Sequence, residues 1–580
     1  MTTAGQIDAA VAGRTVPGLF AATVAARPEA VALRWRPPGA ATATESLTWA
    51  EYADRACRVA AGLQALGVQR GDRVVLMMRN RPEFHYADMG ALLAGATPFS
   101  IYNSSSPEQI EYLCGHSEAS VAIVGDVGLL ERFLKVRSEL PGLRTLVLVD
   151  DPDGLAPADV VPFADVVGAA PVDLGEAAAA ADPEDLLTLI YTSGTTGPPK
   201  GVMITHRNLC WVLESMAVET GEAITGWRQV SFLPMAHIAE RLMTHYFHIG
   251  EGTDVTCCPE PTELLSYMRE VRPEHFLGVP RVWEKFHAGI TAALAADPEK
   301  QAAFEAARQS GDRDHPVLAA VREMVGLDAM RIALTGAAPI PRPVLEFFLA
   351  IGVPISEVYG LSEATGPTNW SRTVHVGTVG RPIPGQEMKL LDDGEVCFRG
   401  GNIFRGYLKD PRRTAEMLDG DGWLHTGDIG QVEEDGYLRI VDRKKELIIT
   451  AGGKNISPAN LEAAIKSFPL IGQACVVGDS RPYITALIVL DPDVAPAWAK
   501  GRGVEFSTLA DLAAHPDVRA EVERSVEEAN ARFSQVEKIK KFAILPTEWP
   551  PDSEELTPTM KLKRRGVLAK YAEEIEKLYV

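Results

Sequence analysis

The sequence lacks the features that would tie it to a disulfide framework, a membrane span or secretion. Its seven cysteines are an odd number without C-x-x-C spacing, which argues against a disulfide-rich secreted domain and against a zinc site. No run of about 18 apolar residues occurs, so no transmembrane helix is predicted. The first residues carry neither the basic start nor the apolar stretch of a secretory signal. We therefore expect a cytoplasmic protein, with peripheral membrane contact as the alternative.

Basic residues are scarce relative to acidic ones. The 57 Lys and Arg residues against 78 Asp and Glu residues give a net charge of −21. This balance opposes broad attraction to nucleic acids or to an anionic membrane surface. We predict no nucleic-acid partner, and an anionic substrate must be held by local groups. No pattern predicts the oligomeric state.

The chain is long enough for more than one domain. It has 580 residues, of which 46% are hydrophobic. Apolar residues at helical spacing over residues 49–66 precede a strand-like run at 74–78, and similar strand-like runs return at 121–124, 145–149 and 331–334. We predict an α/β fold: a large multi-lobed N-terminal domain with mostly parallel sheets, and a smaller mobile α/β C-terminal domain.

A charged cluster suggests where the domains divide. Residues 442–446, Asp-Arg-Lys-Lys-Glu, separate two apolar runs, and such a cluster suits a solvent-exposed hinge. We predict a large domain over residues 1–441, a hinge over 442–446 and a small domain over 447–580.

A loop rich in glycine and hydroxyl residues follows the apolar run at 186–190. Residues 191–201 read Y-T-S-G-T-T-G-P-P-K-G, in which backbone N–H groups, several hydroxyls and the Lys200 ammonium can bind phosphates. The P-loop pattern does not match, because Gly201 replaces the required Ser or Thr and Pro198 and Pro199 cannot begin the helix. A nucleoside triphosphate is the predicted ligand, and an ordinary surface loop is the weaker alternative.

Further motifs occur in a fixed order along the chain. They are T-G-A-A-P at 335–339, Y-G-L-S-E at 359–363, T-G-D at 426–428, D-R-K-K-E-L-I at 442–448 and T-P-T-M-K-L-K-R-R at 557–565. With them the chain resembles the adenylate-forming superfamily and, within it, the long-chain fatty acyl-CoA synthetases, over nearly its whole length. The resemblance implies ATP-dependent activation of a fatty acid to an acyl-adenylate, followed by transfer to coenzyme A, with AMP and pyrophosphate as products.

The resemblance also implies roles for individual residues. A carboxylate that attacks the α-phosphate of ATP meets like-charge repulsion, so the site needs a divalent metal and cations. The implied catalytic residues are Lys561, Glu363, Thr192 and Lys200, with Glu363 and Thr192 as Mg²⁺ ligands. The implied nucleotide-binding residues are Thr192, Ser193, Gly194, Thr195, Thr196, Gly197, Lys200, Gly336, Ala337, Ala338, Tyr359, Gly360, Ser362, Asp428 and Arg443. Taken singly, Asp428 would more often be a turn residue.

Spacing selects the C-terminal lysine. The family places a lysine three residues before an Arg-Arg pair, and Lys561 stands at that interval from Arg564, whereas Lys563 does not. Lys561 is implied to contact the reacting carboxylate and the α-phosphate. Met560 stands where a glycine is common. Without the other motifs, a solvated basic run would be the preferred interpretation.

The resemblance further implies that the C-terminal domain rotates about a hinge at Lys445. Rotation would bring Gly452 and Gly453 to the site, where they would admit the pantetheine arm of coenzyme A. His237 and Arg241 lie in a segment that resembles the acyl entrance, although an isolated histidine in an apolar segment is more often structural. Closure of the domains would exclude water from the adenylate.

Three hypotheses remain open from the sequence. The first is an acyl-CoA synthetase. The second makes the same adenylate from a fatty, aryl or sterol-derived acid and loads it onto a carrier protein. The third is a catalytically silent nucleotide-binding protein, which retention of the predicted catalytic residues disfavours. An apolar helical stripe, Val567, Leu568, Tyr571, Ile575 and Leu578, either docks on the small domain or touches a membrane.

Overall fold

The computed structural model describes residues 2–192, 198–449, 455–551, 553–557 and 560–580. Helices cover mixed and parallel sheets, and the predicted α/β class is confirmed. The position of the domain boundary stays a prediction.

Residues 2–192 alternate helices with strands. The helices are α1 (Ala4–Val11), α2 (Val16–Ala26), α3 (Trp49–Ala65), α4 (Pro82–Leu93), α5 (Pro107–Ser117), α6 (Val127–Lys135), α7 (Phe163–Val167) and α8 (Leu174–Ala179). The strands are β1 (Val31–Trp35), β2 (Glu45–Thr48), β3 (Arg73–Met77), β4 (Thr97–Ser100), β5 (Ala119–Asp126), β6 (Thr145–Asp150), β7 (Val161–Pro162) and β8 (Leu186–Thr192).

Residues 198–449 continue this alternation. The helices are α9 (His206–Thr220), α10 (Ile238–Glu240), α11 (Phe247–Glu251), α12 (Leu264–Val271), α13 (Pro280–Ala295), α14 (Pro298–Gln309), α15 (Pro316–Met324), α16 (Arg342–Ala350) and α17 (Pro411–Met417), and a π-helix, Arg241–Tyr246, joins α10 to α11. The strands are β9 (Lys200–Thr205), β10 (Arg228–Ser231), β11 (Asp254–Cys257), β12 (His275–Gly278), β13 (Ile332–Gly336), β14 (Ile355–Leu361), β15 (Gly366–Asn369), β16 (Glu387–Leu390), β17 (Glu395–Arg399), β18 (Gly406–Tyr407), β19 (Leu424–Val432), β20 (Leu438–Arg443) and β21 (Ile448–Ile449).

Residues 455–580 form the C-terminal part. The helices are α18 (Pro458–Lys466), α19 (Val494–Gly501), α20 (Leu509–Ala514), α21 (Pro516–Asn530), α22 (Arg564–Lys570) and α23 (Ala572–Lys577). The strands are β22 (Asn455–Ile456), β23 (Ile471–Val477), β24 (Ile484–Leu490) and β25 (Ile539–Leu545).

The sheets combine parallel and antiparallel pairs. The five-stranded sheet, in the order β4-β3-β5-β6-β7, is parallel throughout. Strands β12, β13 and β14 are parallel neighbours, and β15 adds an antiparallel edge. By contrast, β16-β17-β19-β20 and β8-β9-β18 are antiparallel sheets. The residues discussed below lie on or directly after three of these strands, β8, β14 and β19.

Local sequence explains why α3 begins and ends where it does. The Thr48 side chain accepts a hydrogen bond from the backbone N–H of Glu51, and the Glu51 side chain bonds back to the backbone of Thr48. This reciprocal pair satisfies two N–H groups at the helix start. Gly67, with φ 84°, follows the helix end in the left-handed region. The helix predicted over residues 49–66 is confirmed.

The apolar residues at the two ends of the chain pack inside the protein. Within the described residues no single helix is long and apolar enough to cross a membrane. Taken together, the bent pair of helices α1 and α2 has the length and apolar composition of a span. On that pair, Ile7, Val16 and Phe20 are buried in the largest hydrophobic cluster.

All seven cysteines are free and buried.

The C-terminal apolar stripe also faces the protein interior. Val567, Tyr571, Ile575 and Leu578 are buried against β23–β25, in a cluster that includes Trp549. Docking on the C-terminal part of the chain is therefore the observed use of this stripe, and these side chains offer no exposed surface to a membrane.

Candidate functional site

The two strands that flank the glycine-rich loop form an antiparallel pair. In this pair, Thr192 at the end of β8 lies opposite Lys200 at the start of β9. Because a strand and not a helix follows the loop, the prediction that it is not a P-loop is confirmed. The loop residues Ser193, Gly194, Thr195, Thr196 and Gly197 lie outside the described part of the chain.

Glu363 lies in a strained turn that directly follows β14. Its backbone carbonyl accepts a hydrogen bond of 2.9 Å from the N–H of Phe404. Two residues on, Thr365 has φ 59° and is fully buried, and its hydroxyl donates to the carbonyl of Asn402 at 2.7 Å. A β-branched residue rarely adopts positive φ, so the surrounding contacts hold this turn in place.

Tyr407 joins Glu363 to Lys200. The Tyr407 hydroxyl donates to Oε1 of Glu363 at 2.7 Å, and the Lys200 ammonium lies 4.8 Å from the centre of the Tyr407 ring. Partial burial and then the charge of Arg413 lower the pKa of Lys200, while Glu363 opposes that shift. The structure thus brings two predicted site residues together through a tyrosine that the sequence analysis missed. Its only sequence signal is the Gly406-Tyr407 pair, which is common.

Asp428 lies between Tyr359 and Arg443. The Tyr359 hydroxyl donates to Oδ2 of Asp428 at 2.5 Å, and Nε of Arg443 lies 3.3 Å from Oδ1. Asp428 and Arg443 are cross-strand partners of β19 and β20. Burial raises the pKa of Asp428, and Arg443 opposes the shift. Burial and then the Asp428 charge raise the pKa of Tyr359, so its hydroxyl stays a donor.

Small residues at the ends of β13 and β14 allow a close backbone approach. A Cβ on Gly336 would lie 2.7 Å from the carbonyl oxygen of Val358, and one on Gly360 would lie 2.0 Å from that of Gly366. Only glycine fits such contacts. The neighbouring predicted residues are accessible or half-buried: Ala337, which has φ 71°, Ala338 and Ser362. This edge of the sheet can accept a flat ligand.

His237 begins the short helix α10. Its Nδ1 accepts the backbone N–H of Ala239 at 3.1 Å. Burial, followed by the charge of Lys561, lowers the pKa of His237 to about 3. The imidazole is therefore neutral and carries its proton on Nε2.

Glu240 anchors the loop that carries His237. Its Oε1 accepts hydrogen bonds from the Ser231 hydroxyl at 2.8 Å, the Phe232 N–H at 3.0 Å and the Thr244 hydroxyl at 2.8 Å. Burial raises the pKa of Glu240 to about 7, against the effect of these hydrogen bonds. One glutamate in an apolar segment forms no motif, so the sequence alone does not predict a role for Glu240.

Arg241 is wholly buried and is engaged inside the protein. Its guanidinium pairs with Asp88 and donates to the hydroxyls of Tyr246 and Ser100, each at 2.8 Å. This fully buried ion pair fixes the Arg241 side chain between α4 and the π-helix. The role of Arg241 at the acyl entrance stays a prediction.

Lys561 is accessible and electrostatically coupled to the other site residues. Crowding by surrounding protein atoms and then the positive charge of Arg443 lower the pKa of Lys561 to about 8, while Asp428 and Glu363 oppose the shift. The structure thus brings Lys561, Arg443, Asp428 and Glu363 into one electrostatic neighbourhood. This neighbourhood includes His237, whose pKa the Lys561 charge lowers.

The backbone just before Lys561 is strained. Met560 has φ 63°, which is the left-handed region that favours glycine. Hydrogen bonds hold the turn: Thr557 N–H donates to the Lys561 carbonyl at 2.8 Å, and Lys561 N–H donates to the Thr557 hydroxyl at 2.9 Å. Met560 therefore adopts the left-handed backbone conformation that a glycine would favour at this position.

The predicted hinge lies in an exposed turn after β20. Lys445 is exposed. Asp442, just before it, accepts hydrogen bonds from the Ser457 hydroxyl at 2.6 Å and the Ala459 N–H at 3.1 Å, at the start of α18. Gly452 and Gly453, the predicted pantetheine contacts, lie outside the described residues.

Helix α13 contacts the C-terminal part of the chain through two ion pairs. Arg281 pairs with Asp491, and Nζ of Lys285 lies 3.0 Å from Oδ2 of Asp493. The partners are more than 200 positions apart in the sequence. Only the first pair is largely shielded from solvent, since the Asp491 side chain is 2% exposed, whereas both side chains of the second pair are exposed.

The fold is that of an adenylate-forming enzyme, and comparison with known families agrees. A family described as AMP-binding enzyme matches residues 20–408, and one described as AMP-binding enzyme C-terminal domain matches residues 445–580. The chain belongs to the AMP-binding enzyme family.

Individual relatives place the chain more closely. It is 46% identical over 428 residues to fadD11 of Mycobacterium tuberculosis, a provisionally named fatty-acid–CoA ligase, covering 69% of this chain and 74% of that one. It is 36% identical over 563 residues to FadD15 of Mycobacterium bovis, named a long-chain-fatty-acid–CoA ligase, covering 92% of each chain. Among solved structures, the adenylation domain of a carboxylate reductase from Mycobacterium chelonae has a TM-score of 0.76 at 22% identity, covering 100% of this chain and 93% of that one, which supports the fold.

Proposed function

We propose that this protein is an AMP-forming long-chain-fatty-acid–CoA ligase. In the first step a carboxylate oxygen of the acid attacks the α-phosphorus of ATP, and pyrophosphate leaves. In the second step the sulfur of coenzyme A attacks the acyl carbonyl carbon, and AMP leaves. The observation that supports this proposal most strongly is that five residues spread along the chain interact electrostatically with one another: Lys200, Glu363, Asp428, Arg443 and Lys561.

The first step brings two anions together, and cations reduce their repulsion. We assign Lys561 to the reacting carboxylate and the α-phosphate, because its positive charge lies among Asp428, Glu363 and Arg443. Lys200 is assigned to the phosphates that leave. Because such charged side chains are already in position, they stabilise the transition state without having to rearrange during the reaction.

Glu363 and Thr192 are the proposed holders of Mg²⁺. Their donor set, a carboxylate oxygen and a hydroxyl, fits a hard cation of this kind. When bound, the ion would neutralise phosphate charge during the displacement. Thr192 lies opposite Lys200 on the paired strands β8 and β9, so the metal and the lysine would approach the same phosphates.

The nucleoside of ATP has a matching set of contacts. Asp428 is an ionisable acceptor held by Tyr359 and Arg443, and it suits the two ribose hydroxyls. The small residues Gly336, Ala337 and Ala338, with Gly360 and Ser362, border the place for the adenine base. The Tyr359 ring provides a flat partner for that base.

The second step requires the C-terminal domain to move. In this arrangement Lys561 lies in the electrostatic neighbourhood of Arg443, Asp428 and Glu363, and coenzyme A needs a path to the adenylate. We propose rotation at Lys445, which would break the contacts of Asp442 and Arg281 to the C-terminal domain. Rotation would carry Gly452 and Gly453 toward the thiol. Such alternation would also shield the adenylate from water.

Cytoplasmic residence is part of the proposal. It rests on seven free, buried thiols, which suit a reducing compartment. Peripheral membrane contact has no support from the C-terminal stripe, which is buried.

The test is pyrophosphate exchange across a panel of fatty, aryl and sterol-derived acids, each with and without coenzyme A. With long-chain fatty acids, we expect pyrophosphate exchange in the absence of coenzyme A. After coenzyme A is added, we expect acyl-CoA and AMP to form. Thioester formation only with a phosphopantetheinylated carrier protein would favour carrier loading instead. ATP consumption without AMP would refute the proposal, and so would binding of ATP without exchange on any acid.

A further inference from the structure

We propose that Tyr407 is a positioning residue for the adenylation step. Its hydroxyl holds Glu363 so that one carboxylate oxygen faces the metal, and its ring holds the Lys200 ammonium ready for the phosphates. The inference rests on the proposed function and adds to it a residue that none of the motifs contains.

The backbone around Tyr407 is firmly supported. Tyr407 and Gly406 form β18, which pairs with β9 just beyond Lys200. The Tyr407 N–H donates to the Thr414 hydroxyl at 2.9 Å, and the ring packs edge-on against Phe404 at 5.0 Å. The residue is 3% exposed. A side chain fixed on several sides can in turn fix its neighbours.

The hydroxyl of Tyr407 acts on Glu363. It donates to Oε1 at 2.7 Å, which leaves the second carboxylate oxygen, Oε2, for a cation. In this contact the hydroxyl is the donor, because an ionised carboxylate only accepts hydrogen bonds. A carboxylate with one oxygen occupied is a monodentate ligand, and the octahedral shell of Mg²⁺ accepts such ligands well.

The ring of Tyr407 acts on Lys200. The ammonium lies 4.8 Å from the ring centre, within the range of a cation–π interaction. In the part of the chain that the structure describes, Lys200 and Glu363 make no direct ion pair, although their charges attract. Because the tyrosine bridges them, neither charge is neutralised by the other before ATP arrives. Each therefore keeps its binding capacity for the metal and the phosphates.

The two halves of this role can be separated by substitution. Tyr407→Phe keeps the ring under Lys200 and removes the hydroxyl from Glu363, whereas Tyr407→Leu removes both. The matched control is Tyr437→Phe, because Tyr437 is also buried and donates to a carbonyl, that of Thr373, at 3.2 Å. Thermal unfolding of all three variants is compared with wild type to confirm that they fold.

The first measurement is the Mg²⁺ dependence of fatty-acid-dependent pyrophosphate exchange. For Tyr407→Phe we expect the half-saturating Mg²⁺ concentration to rise about ten-fold, because one hydrogen bond to a charged group is lost. At saturating Mg²⁺, the KM for ATP should be unchanged. For Tyr407→Leu we expect both quantities to rise. Tyr437→Phe should match wild type in both.

The second measurement is independent of activity. Mn²⁺ binding to each protein with a non-hydrolysable ATP analogue is followed by electron paramagnetic resonance. Weaker Mn²⁺ binding by Tyr407→Phe, with wild-type affinity in Tyr437→Phe, supports the inference. If Tyr407→Phe matches the wild type in both Mn²⁺ affinity and half-saturating Mg²⁺ concentration, the inference is overturned. The proposed function still stands in that case, provided that the wild type catalyses pyrophosphate exchange. Absence of exchange in the wild type itself would instead refute the proposed function.

Discussion

Arg281 on α13 forms an ion pair with Asp491, whose side chain is only 2% exposed, at the start of α19. Breaking a buried pair leaves one charge uncompensated, which costs far more than losing an exposed pair. The contact joins the segments matched by the two AMP-binding families, so it stabilises the arrangement in which Lys561 lies in the electrostatic neighbourhood of Asp428 and Glu363.

A double-mutant cycle tests this contact. We expect Arg281→Gln and Asp491→Asn each to slow pyrophosphate exchange about ten-fold, and the double variant to be no slower than either, because both changes remove one interaction. Lys285→Gln is the control, since its pair with Asp493 is exposed and contributes little. Additive losses in the double variant would contradict a shared interaction.

Lys561→Ala should separate the two half-reactions. We expect adenylation, measured by pyrophosphate exchange, to fall by orders of magnitude because the cation at the reacting groups is lost. Formation of acyl-CoA from supplied acyl-adenylate should remain near the wild-type rate. Equal loss in both assays would argue against a role confined to the first step.

The pH dependence of adenylation should follow Lys561. Its pKa of about 8 means that the cation, which the first step needs, is lost as the pH rises through that value. We expect kcat/KM for ATP in the exchange reaction to fall above about pH 8, since this parameter reports the free enzyme. In Lys561→Arg the guanidinium stays charged, and that limb of the profile should disappear. An unchanged limb in this variant would assign it to another group.

Met560 should respond to substitution according to backbone strain. With φ 63°, it occupies a conformation that glycine adopts freely and that a β-branched residue avoids, at a cost of about 1–2 kcal/mol. We expect Met560→Gly to keep adenylation near wild type and Met560→Val to lower it about ten-fold through displacement of Lys561. Pyrophosphate exchange measures both, and wild-type exchange by Met560→Val would show that this backbone is not needed.

Glu240 should make the protein less stable at neutral pH than at mildly acidic pH. Its pKa is raised from 4.5 to about 7, so the folded protein holds this proton more tightly than the unfolded chain, and stability is lost as the pH rises through about 7. Between about pH 5 and pH 8 the wild type should lose about 2 kcal/mol more of its free energy of unfolding than Glu240→Gln. Urea unfolding at the two pH values measures this, and parallel behaviour of the two proteins would be the contrary result.

The sequence alone determined the fold class, the family and most of the chemistry. Apolar periods predicted α3 and several strands because burial at fixed spacing is a local property of the chain. The short motifs carry the family resemblance, and that resemblance predicts one site formed by five residues: Lys200, Glu363, Asp428, Arg443 and Lys561.

Tertiary structure alone decided which side chains meet. Tyr407 became a partner of Glu363 only through the pairing of β18 with β9, and the buried partner of Arg241 is Asp88, which lies 153 positions away in the sequence. Such contacts join residues far apart in the chain, and a local pattern cannot encode which distant neighbour fills a given space. The same holds for the pairing of Arg281 with Asp491, which depends on how two packed bodies fit together.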